Sequence, residues 1–234
     1  MVKRVMLARQ RRALRFCLLA CGGLFAGGQA AAQTQQFSAN IVVQADTAAM
    51  PAGRLRVLDG KVRIETPEFA HGFFLVDTAK PSASFVRPGA RIYMDARQSS
   101  RLTRLFVPVD SDAPCTHWQA MARLAGVVEQ RDWACERTGE ETIDGRMADV
   151  FRAVSGSGQH YSGWIDRERK FPLRIRLDDG TILALAQVKD EPQPAASFEI
   201  PANSRKFSPE ALIERIKQSD VWVAGTGDSD SSRP

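Results

Sequence analysis

Residues 171–190, FPLRIRLDDGTILALAQVKD, form the most regular stretch of the chain. Asp179-Gly180 marks a turn in its middle, and residues on either side alternate with the period of a β-strand. Before the turn, Arg174 and Arg176 lie opposite the apolar side chains of Leu173, Ile175 and Leu177. After it, Ile182, Ala184, Ala186 and Val188 share one face, with Leu183 and Leu185 on the other. The stretch predicts a hairpin in a sheet that is covered on one side.

The same rhythm extends in both directions from this hairpin. Upstream, Asp144-Gly145 and the run 155–158, SGSG, mark two more turns, so residues 135–190 are predicted to form a meander. Downstream, residues 198–201, FEIP, predict a last edge strand that Pro201 ends.

The N-terminal half predicts more antiparallel sheet. Residues 37–45 alternate as a half-buried strand, and Met50-Pro51-Ala52-Gly53 should break it. Residues 54–65, RLRVLDGKVRIE, read as a hairpin around Asp59-Gly60, a pair that suits a type I′ turn. Shorter strands are expected at residues 73–76, 84–86 and 91–95.

Two helices are expected to cover this sheet. One carries an apolar stripe of Trp118, Met121, Ala122 and Ala125, with Thr116 and Gln119 at the spacing of a capping box. The other begins with Ser208 as N-cap and Pro209 at its first position, and reaches to about Trp222 with Leu212, Ile213 and Ile216 as its stripe. Residues 98–106 read as a short helix or a loop, and residues 224–234 as a disordered tail.

The N-terminus has the features of a secretory signal. Basic residues precede an apolar run over residues 16–26, and Ala30-Ala31-Ala32 offers a cleavage site, so residues 1–32 are predicted to be removed. An alternative is a lipobox at Leu18-Leu19-Ala20-Cys21, which would leave a lipid-anchored Cys21. Cleavage after Ala32 predicts a periplasmic chain whose formal charge falls from +5 to −1, since six basic and no acidic residues leave. That balance argues against nucleic-acid binding, and no other apolar run is long enough to span a membrane.

Two cysteines remain in the mature chain, Cys115 and Cys135. An even pair in an exported protein predicts a disulfide. The alternative is a metal site that combines these cysteines with His117 and perhaps His160. It lacks a second closely spaced pair of ligands, so no metal and no other cofactor is expected.

Catalytic motifs are weak throughout the chain. Ser155 stands where the first glycine of a nucleophile elbow would be, and strand signals rather than a helix follow it. The three histidines, His71, His117 and His160, lie in unrelated contexts, and no phosphate-binding glycine motif occurs. An enzymatic activity is therefore not expected.

Several runs of the sequence resemble exported bacterial proteins of the LolA/LolB lipoprotein-carrier superfamily. In the first half these are Phe37-Ser38-Ala39, residues 53–65 and Ile92-Tyr93-Met94. In the second half Pro114-Cys115, residues 135–146, Trp164-Ile165-Asp166, Phe171-Pro172-Leu173 and residues 198–202 are more similar to an uncharacterised branch of that group. The resemblance implies an α+β, mostly β fold, in which a curved antiparallel sheet forms an incomplete β-barrel with two or three covering helices.

Together these features predict a single domain over residues 33–223 that holds an apolar ligand or the acyl chains of a lipoprotein between sheet and helices. The groove is expected to be lined by Ile41, Val43, Leu55, Val57, Val62, Ile64, Ile92, Trp118, Met121, Leu173, Ile175 and Leu177. The alternative is that the same fold recognises an envelope protein, as in stress sensors of the RseB type.

Overall fold

The computed structural model describes residues 35–45, 48–96 and 100–217. The predicted signal peptide, its cleavage site, the lipobox at Cys21 and the tail 224–234 lie outside the described residues. Twelve strands occur within the described ranges: β1 Gln36–Ala45, β2 Ala48–Leu58, β3 Lys61–Glu65, β4 Phe73–Asp77, β5 Ser82–Arg87, β6 Ile92–Asp95, β7 Ala134–Ile143, β8 Arg146–Val154, β9 His160–Asp166, β10 Phe171–Arg176, β11 Ile182–Asp190 and β12 Arg205–Lys206. Three α-helices accompany them, α1 Leu102–Leu105, α2 Pro114–Leu124 and α3 Pro209–Lys217.

The strands form a single curved sheet that does not close, in the order β12-β6-β5-β4-β3-β2-β1-β11-β10-β9-β8-β7. The predicted mostly β architecture with covering helices is confirmed, although the sheet is mixed because β12 runs parallel to β6. The strand predicted at residues 198–201 is wrong. Phe198 ends a 3-10 turn, and the N–H groups that pair beside β6 belong to Arg205 and Phe207, after a turn at Pro201. Pro201 has no N–H to offer a sheet.

Two Asp-Gly turns set the register of the sheet. Asp59 and Gly60 have φ of 45° and 84°, and Leu58 pairs directly with Lys61. Asp144 and Gly145 repeat this geometry between β7 and β8, with φ of 48° and 78°. Positive φ at both central residues is the requirement of a type I′ turn, so both predicted hairpins are confirmed.

The break predicted at residues 50–53 is wrong, because β2 runs through it. The register shifts between Ile41, which pairs with Gly53, and Val42, which pairs with Pro51. Pro51 lies at this bulge and outside Arg54–Leu58, the part of β2 that pairs with β3, so the proline does not interrupt that second ladder. Gly53 is needed there, since a Cβ atom would lie 2.4 Å from the carbonyl oxygen of Glu65.

One face of the sheet carries the main core, and residues 102–125 fill it. Leu105, Phe106, Val107 and Val109 are buried between the strands and α2, and the backbone N–H of Val109 donates to the carbonyl of Lys170. The stripe of α2 packs inward as predicted, with Trp118, Met121, Ala122 and Ala125 all buried.

The boundaries of α2 and the role of α3 differ from the sequence predictions. α2 begins at Pro114, so Thr116 lies inside the first turn and is not the N-cap of a capping box. In α3, Ser208 does cap the helix through a bond from the N–H of Ala211, 3.2 Å long. Leu212 and Ile213 are 42% and 51% exposed, so this helix does not cover the sheet. Its predicted end near Trp222 lies outside the described residues.

A disulfide joins α2 to β7. Cys115 and Cys135 are bonded with their Cα atoms 5.7 Å apart, which confirms the predicted pair. The bridge closes a loop of 20 residues that contains α2 and the following turn.

The opposite face of the sheet has two smaller apolar clusters. Trp164, Leu173, Ile143 and Ala148 form one of them. The register of β10 against β9 shifts between Pro172 and Arg174, and Leu173 therefore joins Trp164 instead of the main core that contains Ile175. The prediction that Leu173, Ile175 and Leu177 share one face is wrong for this reason.

Candidate functional site

Most of the residues predicted to line a groove come together, but as densely packed core. Ile41, Leu55, Val57, Val62 and Ile64 have no exposed surface. Trp118, Met121, Ile175 and Leu177 are buried in the same cluster, and Val43 packs half-buried against it. Leu173 lies on the other face, and Ile92 is half-buried on β6. The middle of the sheet is thus filled by residues 102–125, and open apolar volume occurs farther along it.

A cavity of about 930 Å³ lies over β4, β5 and β6, next to the start of α3. We call it the aromatic cavity. It is lined by Glu68, Phe69, Ala70, His71, Gly72, Phe74, Phe85, Arg87, Met94, Asp95, Lys206, Phe207, Ser208, Pro209 and Glu210. Its volume falls near the upper end of the range of about 300–1,000 Å³ typical of ligand sites.

Three phenylalanines make the apolar wall of the aromatic cavity. The ring of Phe74 contacts Phe85 at 5.0 Å between centroids, and Phe69 lies 5.5 Å from Phe74 and 5.2 Å from Phe85. Phe74 is buried, whereas Phe69 stands on a 3-10 turn and is 36% exposed. The wall therefore has a fixed base on the sheet and a partly exposed ring at the mouth.

Charged side chains surround this apolar wall. Lys206 Nζ pairs with Asp95 Oδ1 at 2.9 Å. Arg87 has no carboxylate partner among the described residues, and His71 is exposed beside it in the lining. An apolar interior with a rim of mixed charge matches a ligand that has an apolar tail and a polar head.

A second cavity, of about 560 Å³, adjoins the first at Glu68 and Phe69, which line both. Its other walls include Val43 and Leu177, two of the residues predicted to contact ligand, together with Leu102 and Leu183. The turn that carries Phe69 is thus the partition between the two spaces.

The serine that was considered as a nucleophile belongs to a turn in the structure. Ser155 Oγ lies 2.9 Å from Ser157 Oγ and accepts from the N–H of Gln159, so it closes a turn. No group of three or more His, Cys, Asp or Glu side chains able to hold a metal occurs among residues 35–45, 48–96 and 100–217. In the same ranges, no helix is both long and apolar enough to cross a membrane.

A cluster of four charged side chains lies away from the cavities, where β7 and β8 meet the turn after β9. Arg167 and Arg137 donate to Asp149 Oδ1 at 2.7 and 2.6 Å, and Glu140 contacts both arginines. The hydrogen bond from Arg167, followed by that from Arg137, holds the pKa of Asp149 below its ordinary value. The cluster is fully paired, which indicates a structural role.

The aromatic cavity was not predicted from the sequence. Phe69, Phe85 and Phe207 come from three separate segments, and no common spacing relates them. The nearest signal was the apolar run 73–76, which contains Phe74. The filling of the central core has a clearer signal in the apolar run Leu105-Phe106-Val107, which overlaps the residues 98–106 predicted only as a short helix or a loop.

No family model and no curated protein matches this sequence. Solved structures with a similar fold include an uncharacterized conserved protein from Thermus thermophilus, with a TM-score of 0.44 and 11% identity over 75% of this chain and 91% of that one. A putative outer membrane lipoprotein-sorting protein domain from Vibrio parahaemolyticus has a TM-score of 0.36 and 9% identity over 73% of this chain and 92% of that one. The MucA/MucB complex of Pseudomonas aeruginosa has a TM-score of 0.33 and 14% identity over 74% of this chain and 58% of the matched chain. The similar structures thus include a lipoprotein-sorting domain, the class of protein that the sequence was expected to resemble.

Proposed function

We propose that this chain is a non-enzymatic binding protein that holds an acyl chain of an amphiphilic ligand, free or attached to a lipoprotein, in the aromatic cavity. The observation that carries the proposal is a space of about 930 Å³ walled by Phe69, Phe74 and Phe85. A polar head at the rim would meet Arg87, which lacks a carboxylate partner among the described residues.

The energetics of such binding are favourable. Each CH₂ group removed from water contributes about 0.8 kcal/mol, so a chain of about 14 carbons contributes on the order of 10 kcal/mol. Ordering of the ligand and loss of its free motion offset part of this. The remainder corresponds to dissociation constants around the micromolar range.

Titration with a fluorescent fatty-acid probe tests the proposal. We expect micromolar binding to the wild type and at least tenfold weaker binding to Phe69→Glu, which places a charge at the mouth of the cavity. Leu124→Glu is the matched control, because Leu124 is 37% exposed against 36% for Phe69 and lines none of the cavities described above. Absence of probe binding at tens of micromolar to folded wild type, or equal loss in both variants, would reject an acyl site here.

Recognition of an envelope protein is the second candidate. The side chains of Leu212 and Ile213 are exposed on α3, directly after the residues that line the cavity. Apolar side chains grouped on an exposed helix are a common feature of partner surfaces. Loss of partner capture from a periplasmic extract on Leu212→Glu with Ile213→Glu, with probe binding intact, would favour this function.

We also propose that the chain acts in the periplasm after removal of residues 1–32. Basic residues followed by an apolar run and Ala30-Ala31-Ala32 support this placement. N-terminal sequencing of the exported protein should find Gln33 first. A chain that begins at a diacylated Cys21 would instead establish a lipid anchor.

A further inference from the structure

A third cavity, of about 350 Å³, lies beside the disulfide and shares no lining residue with the aromatic cavity. Trp118, Trp133 and Tyr161 form its aromatic part. Arg104, Gln159 and Asp178 are among its polar residues. We call it the tryptophan pocket. Its function is independent of the acyl-chain proposal.

The aromatic side chains of the tryptophan pocket are held in fixed positions. Trp133 and Tyr161 stack with centroids 5.3 Å apart and planes within 8°, and Trp118 lies 6.5 Å from Trp133. Trp118 Nε1 donates to the carbonyl of Leu105, and Trp133 Nε1 donates to Glu129 Oε1. Both indole N–H groups are therefore satisfied within the protein. Trp118 is buried, so the apolar surface open to a ligand comes mainly from the half-buried rings of Trp133 and Tyr161.

The disulfide contributes to this rigidity. Cys115 lies one helical turn before Trp118, and Cys135 lies two residues after Trp133. The bond therefore fixes the two indoles relative to each other across the boundary between α2 and β7. A preorganised pair of rings can bind a ligand without first losing conformational freedom.

A positive charge without a counter-ion faces this aromatic group. Arg104 lines the pocket and makes no ion pair with a carboxylate of the described residues, whereas Arg101 in the same lining pairs with Asp179 at 3.8 Å. Its Nε is shut off from solvent and has no acceptor. Burial raises the pKa of the Tyr161 phenol. The nearby positive charge of Arg104 has a smaller effect and lowers that pKa. A half-buried guanidinium in this state is suited to an anionic group of a ligand.

Hydrogen-bonding groups complete the pocket. Gln159 Oε1 accepts from the Tyr161 hydroxyl at 2.6 Å, which leaves the amide N–H groups without an acceptor among the described residues. Asp178 is exposed on the rim and has no ion-pair partner within the described ranges. A carboxylate and an amide at a pocket edge bind ligands that carry hydroxyl groups.

We propose that the tryptophan pocket binds an acidic sugar residue, a pyranose ring that carries a carboxylate. The apolar face of the sugar ring packs on the aromatic side chains, the carboxylate pairs with Arg104, and hydroxyl groups bond to Asp178 and Gln159. An aromatic acid would satisfy the rings and Arg104 but offers no hydroxyl donors to Asp178. A neutral sugar would leave Arg104 unpaired.

Isothermal titration with D-glucuronate, D-glucose and phenylacetate tests this assignment on the exported, oxidised protein. We expect glucuronate to bind in the millimolar range or tighter, and both other compounds to bind at least tenfold more weakly. Glucose that equals glucuronate, phenylacetate that exceeds it, or no glucuronate binding at tens of millimolar would each overturn the proposal.

Variants locate the site. Arg104→Gln should weaken glucuronate binding at least tenfold, and Arg104→Lys should retain part of it because the charge remains. Arg152→Gln is the control, since Arg152 is exposed on β8 and makes no ion pair or side-chain hydrogen bond with the described residues. Thermal unfolding checks that each variant is folded. Unchanged affinity in folded Arg104→Gln, or an equal loss in Arg152→Gln, would contradict the role of Arg104.

Discussion

At the scale of single residues, Gly72 controls the shape of the aromatic cavity. A Cβ atom at this position would lie 2.4 Å from Phe85 Cζ and 2.8 Å from the carbonyl oxygen of Val86. Gly72→Ala should therefore push the Phe85 ring out of place and lower the free energy of unfolding by about 1–3 kcal/mol. Chemical denaturation measures this loss, and the fluorescent fatty-acid probe should bind more weakly as the wall is disturbed.

Gly89→Ala is the matched control for this substitution. Nothing lies within 4 Å of a Cβ atom built on Gly89. The change should shift the free energy of unfolding by no more than about 0.5 kcal/mol. An equal loss in both variants would mean that the effect comes from the backbone and not from Phe85.

Asp149 gives a second prediction at this scale, on acid stability. Hydrogen bonds from Arg167 and Arg137 lower its pKa in the folded state relative to the unfolded state. A group with a lowered folded pKa contributes stability that is fully present above its unfolded value, near 4, and is lost as the pH falls through the folded value. Asp149→Asn should therefore destabilise the protein at pH 7 and flatten the decline in stability below about pH 4.

Glu168→Gln provides the comparison for Asp149→Asn. Its side chain is 86% exposed, and its nearest cationic contact is Arg146 at 3.6 Å. The variant removes the same charge from the surface and should leave the acid profile nearly as in the wild type. Denaturation midpoints measured from pH 2 to pH 7 distinguish the two cases.

At the scale of elements, the disulfide is expected to stabilise the junction of α2 with β7. It closes a loop of 20 residues, which corresponds to about 3 kcal/mol in the chain-entropy model. Cys135→Ser should lower the free energy of unfolding by about 2–5 kcal/mol, and the double change with Cys115→Ser should cost about the same. Peptide mapping without reductant should recover the bonded pair from the wild type. Two free thiols there would refute the bridge.

The turns and strands also show which parts of the fold can be predicted from the sequence and which cannot. The turns at Asp59-Gly60 and Asp144-Gly145 could both be predicted from the sequence. A type I′ turn needs positive φ at two successive residues, and Asp-Gly is one of the few pairs that favour this geometry. Pro51 was misleading, since the bulge that accommodates it depends on the neighbouring strand β1. Arg205, and not Ile200, pairs with β6, and this pairing likewise depends on contact between segments that are distant in the sequence. Local alternation of residues therefore predicts where strands occur, whereas contacts between distant segments determine how those strands pair.

The candidate site was less predictable than the fold for a related reason. Alternation correctly identified Ile41, Leu55, Val57, Val62 and Ile64 as a buried face. Whether a buried face touches ligand or protein depends on what covers it, and here the run that includes Phe106 does so. The walls of the aromatic cavity come from separate turns and strands, so only the folded chain brings them together.

At the scale of the whole molecule, buried core covers the central strands of the sheet, whereas the aromatic cavity lies over the strands near β6. Strands β1, β2 and β11 have neighbours on both sides and carry core residues such as Ile41 and Leu55 with no exposed surface. Toward β6 the core gives way to the aromatic cavity, and the adjoining edge strand β12 has only two residues. Local opening should therefore be easiest at the β12 end, since stability follows burial and pairing.

Hydrogen exchange followed by mass spectrometry tests this gradient and its link to binding. In the free protein we expect the slowest exchange in β1, β2 and β11, and faster exchange in β5 and β6. An acyl ligand stabilises only the states that bind it, so saturating fatty-acid probe should slow exchange in β4, β5 and β6 and leave β8 and β9 unchanged. The Phe69→Glu variant should lose this response while its central strands remain protected. Slowing centred on β8 and β9 would place the ligand elsewhere, because neither strand contributes a residue to the aromatic cavity.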